Sequence, residues 1–283
     1  MRNDEFFIGW MPKAPGTFAG LIKRVLIFLV FAVAAAGIIL ALSQKKFGTG
    51  NFEFGRLTQV SGIYFNGPIP FLKTINGKDF FGRPSFITIP LIGYGKFGAE
   101  GAIAAIEKQK NISLDKKEVT MKGTLLYNDG KLLMQIDAND SFLVQVKNEI
   151  NKIDLPESTD MGEQTIRGEI VDPKCFFGVM KPGEGKPHKD CAVRCILGGI
   201  PPVLKVTDDA GRQNYYLLVG PNGEKMNEAV KDFVAEPVTI KAKVARQDDW
   251  IILYVTDKGI ERYSYLQEHF GNEITSCTIA CSK

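Results

Sequence analysis

The chain has 283 residues, is 45% hydrophobic and 24% charged, and carries a formal net charge of +3. That composition excludes a disordered chain or a disulfide-stapled miniprotein and leaves room for one to three folded domains. Lys and Arg never form a block of five or more, so the electrostatic footprint of nucleic-acid binding is missing and no nucleic-acid partner is expected.

Residues 1–20 form a short tail, and residues 21–44 hold the first predicted element, a transmembrane helix. Its core, VLIFLVFAVAAAGIILALS (25–43), carries no charge and is flanked by Lys23-Arg24 and Lys45-Lys46. At about 1.5 Å per residue it matches the roughly 30 Å hydrocarbon core of a bilayer. Ala41-Leu42-Ser43 resembles a signal-peptide cleavage site, but the apolar run exceeds the usual stretch of about 7–15 residues. A retained anchor is the better reading, with the lipid bilayer as a partner. Basic residues are nearly balanced across the span, with Arg2, Lys13, Lys23 and Arg24 before it and Lys45, Lys46 and Arg56 after it. The tail is assigned to the cytoplasm and the rest of the chain to the exported, periplasmic side.

After a polar linker (44–51) the pattern becomes strand-like, with turns marked by Gly, Pro, Asn and Asp. Two segments follow one plan. Val119, Met121 and Gly123 align with Val238, Ile240 and Ala242, and Leu132, Met134 and Ile136 align with Ile251, Leu253 and Val255, all at one offset of 119 residues. A helical pattern precedes each hairpin, at 99–109 and 225–233, and a strand ending in a glycine turn precedes each helix, at 85–95 and 214–223. Strand, strand, strand, helix, strand, strand is the order of the OB fold. The chain is therefore expected to be mainly β with short helices: one transmembrane helix, then two tandem OB-like barrels at 50–155 and 160–262. Internal duplication accounts for the shared offset, and residues 263–283 form a tail.

Gly93-Tyr94-Gly95-Lys96-Phe97-Gly98 fits the G-x-G-x-x-G pattern of dinucleotide sites. The equivalent turn of the second copy, Gly220-Pro221-Asn222-Gly223, lacks that pattern, and no acidic residue ends the following strand. The glycines are read as a strand-to-helix turn, and no nucleotide is expected. Tyr215, Tyr216, Trp250 and Tyr254 lie in apolar strands and are read as core or strand-face residues rather than base-stacking platforms.

The chemistry-bearing feature lies in the second copy. The chain has five Cys and two His, yet Cys175, His188, Cys191 and Cys195 fall in one short stretch. Pro187 suits the first position of a helix, and Gly198-Gly199 with Pro201-Pro202 end it. His188, Cys191 and Cys195 then fall at i, i+3 and i+7 on one helix stripe, with Cys175 supplied by the preceding strand across a Gly- and Pro-rich loop. Three readings remain open: a Cys₃His site for a soft metal, zinc or copper; a disulfide from Cys175 to Cys191 or Cys195; or reduced thiols. Asp172 is read either as a turn residue or as a group orienting His188. Cys277 and Cys281 repeat the i, i+4 spacing near the C-terminus, and His269 is read as an ordinary surface or packing residue.

The segment GEIVDPKCFFGVMKPGEGKPHKDCAVRCILGGIPP (168–202) and the tail segment FFIGWMPKAP (6–15) resemble motifs of an uncharacterised family of bacterial membrane-anchored proteins. The resemblance implies a bacterial cell-envelope setting and no particular activity. Phe6, Phe7, Trp10 and Met11 are expected at the membrane interface or against an integral membrane partner. No nucleophile–base pair supports hydrolysis. The expectation is a non-catalytic, exported accessory or structural subunit of a membrane assembly, with an electron-transfer or thiol-redox component as the alternative.

Overall fold

The computed structural model describes residues 16–43, 50–137, 139–147 and 158–263. The expectations for Phe6, Phe7, Trp10, Met11, His269, Cys277 and Cys281 lie outside these residues. The chain divides into two units, residues 1–47 and 48–283. In the first, α1 (Gly16–Ser43) contains a stretch, Phe18–Ser43, long and apolar enough to cross a membrane.

The second unit is built from strands that close into two five-stranded barrels. The first consists of β2 (Thr58–Phe65), β3 (Phe71–Lys78), β4 (Pro84–Ile92), α2 (Glu100–Lys110), β5 (Glu118–Asn128) and β6 (Lys131–Gln135). Two short strands, β1 (Asn51–Phe52) and β7 (Leu143–Lys147), pair with β5 outside the ring. The second consists of β8 (Thr159–Val171), α3 (Lys189–Leu197), β9 (Val203–Thr207), β10 (Gln213–Val219), α4 (Asn227–Val230), β11 (Pro237–Gln247) and β12 (Trp250–Arg262). The rings run β2-β3-β4-β6-β5 and β8-β9-β10-β12-β11, so both connect their strands in the same cyclic order. Each is closed by a parallel pairing of its third and fifth strands. Leu91 faces Met134 in the first, and Leu218 faces Leu253 in the second. This is the OB-like arrangement that the element order predicts, and closure leaves the ring strands no free edge.

Period-two burial explains the strands. Val119 and Met121 point into the first barrel, and Val238, Ile240 and Val244 into the second. The closing hairpins match at the predicted offset, with Asn128 opposite Lys131 and Gln247 opposite Trp250. α2 plugs one end of its barrel with Ile103 and Ile106, and stops at Asn111, whose left-handed φ of 50° caps the last turn. The predicted second helix is shorter. α4 makes one α-turn and continues as a 3₁₀ turn, Lys231–Phe233, burying Met226 and Val230.

The barrels share a seam. One apolar cluster takes Ile69, Ile92, Leu126 and Leu133 from the first barrel and Val171, Phe177, Leu217 and Trp250 from the second. The polar contacts across it are reciprocal. The Thr88 hydroxyl donates to Asp248 at 2.8 Å, and the Tyr215 hydroxyl donates to Asp129 at 2.6 Å. Thr88 and Tyr215 hold equivalent places on third strands, and Asp129 and Asp248 equivalent places in the turns of closing hairpins. Residue pairs that exchange roles in this way belong to a two-fold, self-complementary arrangement. Tyr215 and Trp250 are thus core residues, 2% and 0% exposed, as their apolar strands predict, while Tyr216 and Tyr254 are half-buried.

Candidate metal centre

The Cys/His cluster lies in the connection between β8 and β9, on the seam. Asp172 follows β8, and its Oδ1 accepts from the backbone N–H of Lys174 (2.9 Å) and of Cys175 (3.4 Å). This turn places Cys175 at the head of a π-type turn, Cys175–Val179. Gly178 there has φ 159°, and a Cβ would run into the backbone of Asn51 and Phe52. Phe177 enters the shared core, stacked on Trp250 at 6.4 Å and edge-on to Tyr215 at 5.1 Å. Burying such a ring contributes about 1.5–3 kcal/mol and fixes the position of Cys175. The loop folds back over Cys175 and Phe176, where Gly183 packs against their backbone.

The predicted helix divides in two. A 3₁₀ turn, Lys186–His188, leads into α3, and His188 occupies its N-cap. Cys191 and Cys195 lie on the helix itself, Cys195 buried and Cys191 half-buried. His188 keeps its ligand atom near that of Cys191, its predicted i+3 partner, and the cluster forms two groups that share Cys175. The ligand atoms of Cys175, His188 and Cys191 lie within 4.8 Å of one another, and so do those of Asp172, Cys175 and Cys195. All three cysteines are free thiols.

Two polar atoms of the cluster, Asp172 Oδ2 and His188 Nε2, are buried without a hydrogen-bond partner. Their residues are 0% and 4% exposed. An orphaned buried polar atom costs about 1–3 kcal/mol, and more when charged. Two of them beside three sulfurs form a donor set that fits a cation, so the cluster can hold a metal ion.

Two lysines that local sequence did not associate with the cluster stand over it. Lys96, from the Gly-rich turn of the first barrel, places its ammonium 3.0 Å from Cys191 Sγ and 3.6 Å from Cys195 Sγ. Lys174 is buried and donates to the carbonyls of Gly93 (2.9 Å) and Gly95 (2.6 Å), tying that turn down. Gly98 N–H also donates to Gly198 at the end of α3 (3.0 Å), and a Cβ on Gly98 or Gly198 would strike the opposing backbone. The glycines thus make the strand-to-helix turn and also permit backbone-to-backbone contact between barrels. Arg194 and Lys186, two other basic residues near the cluster in sequence, are exposed.

Electrostatics follow from these contacts. A hydrogen bond from Cys175 holds the Cys195 thiol below its ordinary pKa, and Lys96 acts in the same direction. That same bond, reinforced by burial, pushes the Cys175 thiol far upward. Burial lowers the pKa of His188, against the opposing pull of Asp172. The hydrogen bond to Cys191 raises the Lys96 ammonium, whereas burial lowers Lys174. The Lys96 ammonium thus stands at the outer edge of the cluster, against two of its three sulfurs.

No protein-family model matches the chain, and no curated protein matches it. Among solved structures it is similar to a deletion mutant of the single-stranded DNA binding protein from Thermus aquaticus. The match is 9% identical, covers 77% of this chain and 90% of that one, and has a TM-score of 0.19. The OB-like assignment stands on strand order and register alone.

Proposed function

We propose that this chain is a single-pass, membrane-anchored protein whose paired OB-like barrels lie on the exported face of a bacterial membrane and hold a soft metal ion at the Cys175, His188, Cys191 and Cys195 cluster. It serves there as a non-catalytic accessory or structural subunit of a membrane assembly. The observation that carries the metal reading is the pair of orphaned buried atoms, Asp172 Oδ2 and His188 Nε2, set among three free sulfurs. Thiolate and imidazole ligands suit zinc, or copper as Cu(I). The apolar α1 supports the anchor, and internal duplication is supported by the reciprocal Thr88–Asp248 and Tyr215–Asp129 contacts. A thiol-redox role is the second reading, favoured by the hydrogen bond between Cys175 and Cys195.

The test uses full-length protein purified from membranes in detergent. Elemental analysis with intact mass before and after alkylation is expected to show bound metal and alkylatable cysteines once the metal is stripped. A mass deficit of two protons with no metal would sink the metal reading and favour the redox one. Protease accessibility in intact cells and spheroplasts reads sidedness, with protection in intact cells and cleavage in spheroplasts expected. Co-purification from membranes tests for an integral membrane partner.

A further inference from the structure

We propose that the cluster is a two-ion centre in which Cys175 Sγ bridges one ion held by His188 and Cys191 and a second held by Asp172 and Cys195. The inference rests on the metal reading of the cluster. Its basis is geometric. The four Cys and His ligand atoms do not form one mutually close set, because His188 caps α3 while Cys195 lies toward the far end of that helix. They form two triads with a single sulfur in common.

Each triad also contains one of the two residues that carry an orphaned atom, His188 in the first and Asp172 in the second. One ion on the first triad would leave the Asp172 carboxylate oxygen buried beside the Cys175 and Cys195 sulfurs with no cation on it. A buried carboxylate is retained when it is paired or ligates a metal. Its Oδ1 already serves the turn, which leaves Oδ2 free for a second ion.

Charge and ligand type name the cation. Three thiolates and one carboxylate carry four negative charges, and against them stand two divalent ions and the Lys96 ammonium, with the imidazole neutral. Sulfur, imidazole and carboxylate together suit zinc, whereas Cu(I) selects the soft ligands and not the carboxylate. Three protein ligands per ion leave each a position for a small exogenous ligand. The half-buried Cys191 marks the side from which one would enter.

Co²⁺ is the probe, added to stripped full-length protein in detergent and followed by sulfur-to-cobalt charge-transfer absorption, with zinc content measured in parallel. The wild type is expected to saturate at two equivalents, and Asp172→Asn at one. Cys195→Ser is also expected to saturate at one and serves if Asp172→Asn does not fold. Two Co²⁺ ions sharing a thiolate couple magnetically, so the doubly loaded wild type should give a weaker paramagnetic resonance signal per ion than Asp172→Asn. Saturation of the wild type at one equivalent overturns the two-ion centre and leaves the metal reading standing. Two uncoupled equivalents, or two equivalents in Asp172→Asn, also overturn it. No binding by the wild type removes the metal reading and this inference together.

Discussion

Lys96 Nζ lies 3.0 Å from Cys191 Sγ although the residues belong to different barrels. The same ammonium is 3.6 Å from Cys195 Sγ, so it offsets negative charge on two sulfurs at once. Groups that hydrogen-bond to metal ligands orient them and tune their basicity, and losing one typically costs about 10–100-fold in metal affinity. Lys96→Met is therefore expected to weaken metal binding within that range in a chelator competition, with Lys96→Arg retaining part of it. The denaturant midpoint of the metal-free protein should barely move, because the Lys96 head group lies near the surface. Unchanged affinity would mean that the N–H···S contacts have no influence on the ligands.

Gly198 tests the docking that brings Lys96 to the cluster. A Cβ at this position would collide with the Lys96 carbonyl oxygen, which belongs to backbone and has no rotamer to give. The neighbouring Gly98 N–H to Gly198 carbonyl bond would have to lengthen as the turn moves away. Gly198→Ala is expected to cost about 3 kcal/mol or more, the upper range for overpacking. Ala at Gly101, where nothing lies within 4 Å in the helix α2, should be neutral or stabilising. Chemical denaturation of the two variants side by side measures the contrast. Equal midpoints would show that the barrels tolerate separation at this turn.

The contrast between these glycines also shows what local sequence encodes. The barrels were readable because burial alternates with period two along β5 and β11, and because Val119 and Val238 begin matching runs at a fixed offset. The cluster was readable because Cys and His are scarce in this chain. The division of the predicted helix into a 3₁₀ turn and α3, with His188 at the N-cap, was not. Lys96 and Lys174 were not readable either, since they meet the cluster or the Gly93–Gly95 turn only after two barrels dock. The G-x-G-x-x-G pattern was the one local trace of that contact. Its glycines answer a steric need at the seam that a single-barrel reading does not contain.

Lys73 and Asp248 form a buried ion pair across the seam, 3.2 Å apart, with side chains 4% and 2% exposed. Removing one member leaves the other charge in a poorly solvated place, which costs about 3–5 kcal/mol. Lys73→Met is expected to destabilise within that range, leaving the Asp248 carboxylate beside the neutral Thr88 hydroxyl. The double change with Asp248→Leu should cost less than the sum of the two single changes, because the second removes the stranded charge. A double-mutant cycle in urea measures this coupling. Additive energies would show that the two charges do not depend on each other.

The buried imidazole of His188 makes the metal-free protein sensitive to acid. Its folded pKa is lowered by burial, while in the unfolded chain it titrates near the ordinary value of about 6.5. On acidification the unfolded chain takes up this proton first, so the contribution is fully present above the unfolded value and is lost as pH falls through the folded one. The urea midpoint of stripped protein is expected to fall as the pH drops below about 7.5, and His188→Gln should flatten part of that fall. Metal-loaded protein should hold its midpoint to lower pH, because an ion on the imidazole competes with the proton. Parallel pH profiles for wild type and His188→Gln would remove His188 from the linkage. A loaded profile that coincides with the stripped one would place the ion away from His188.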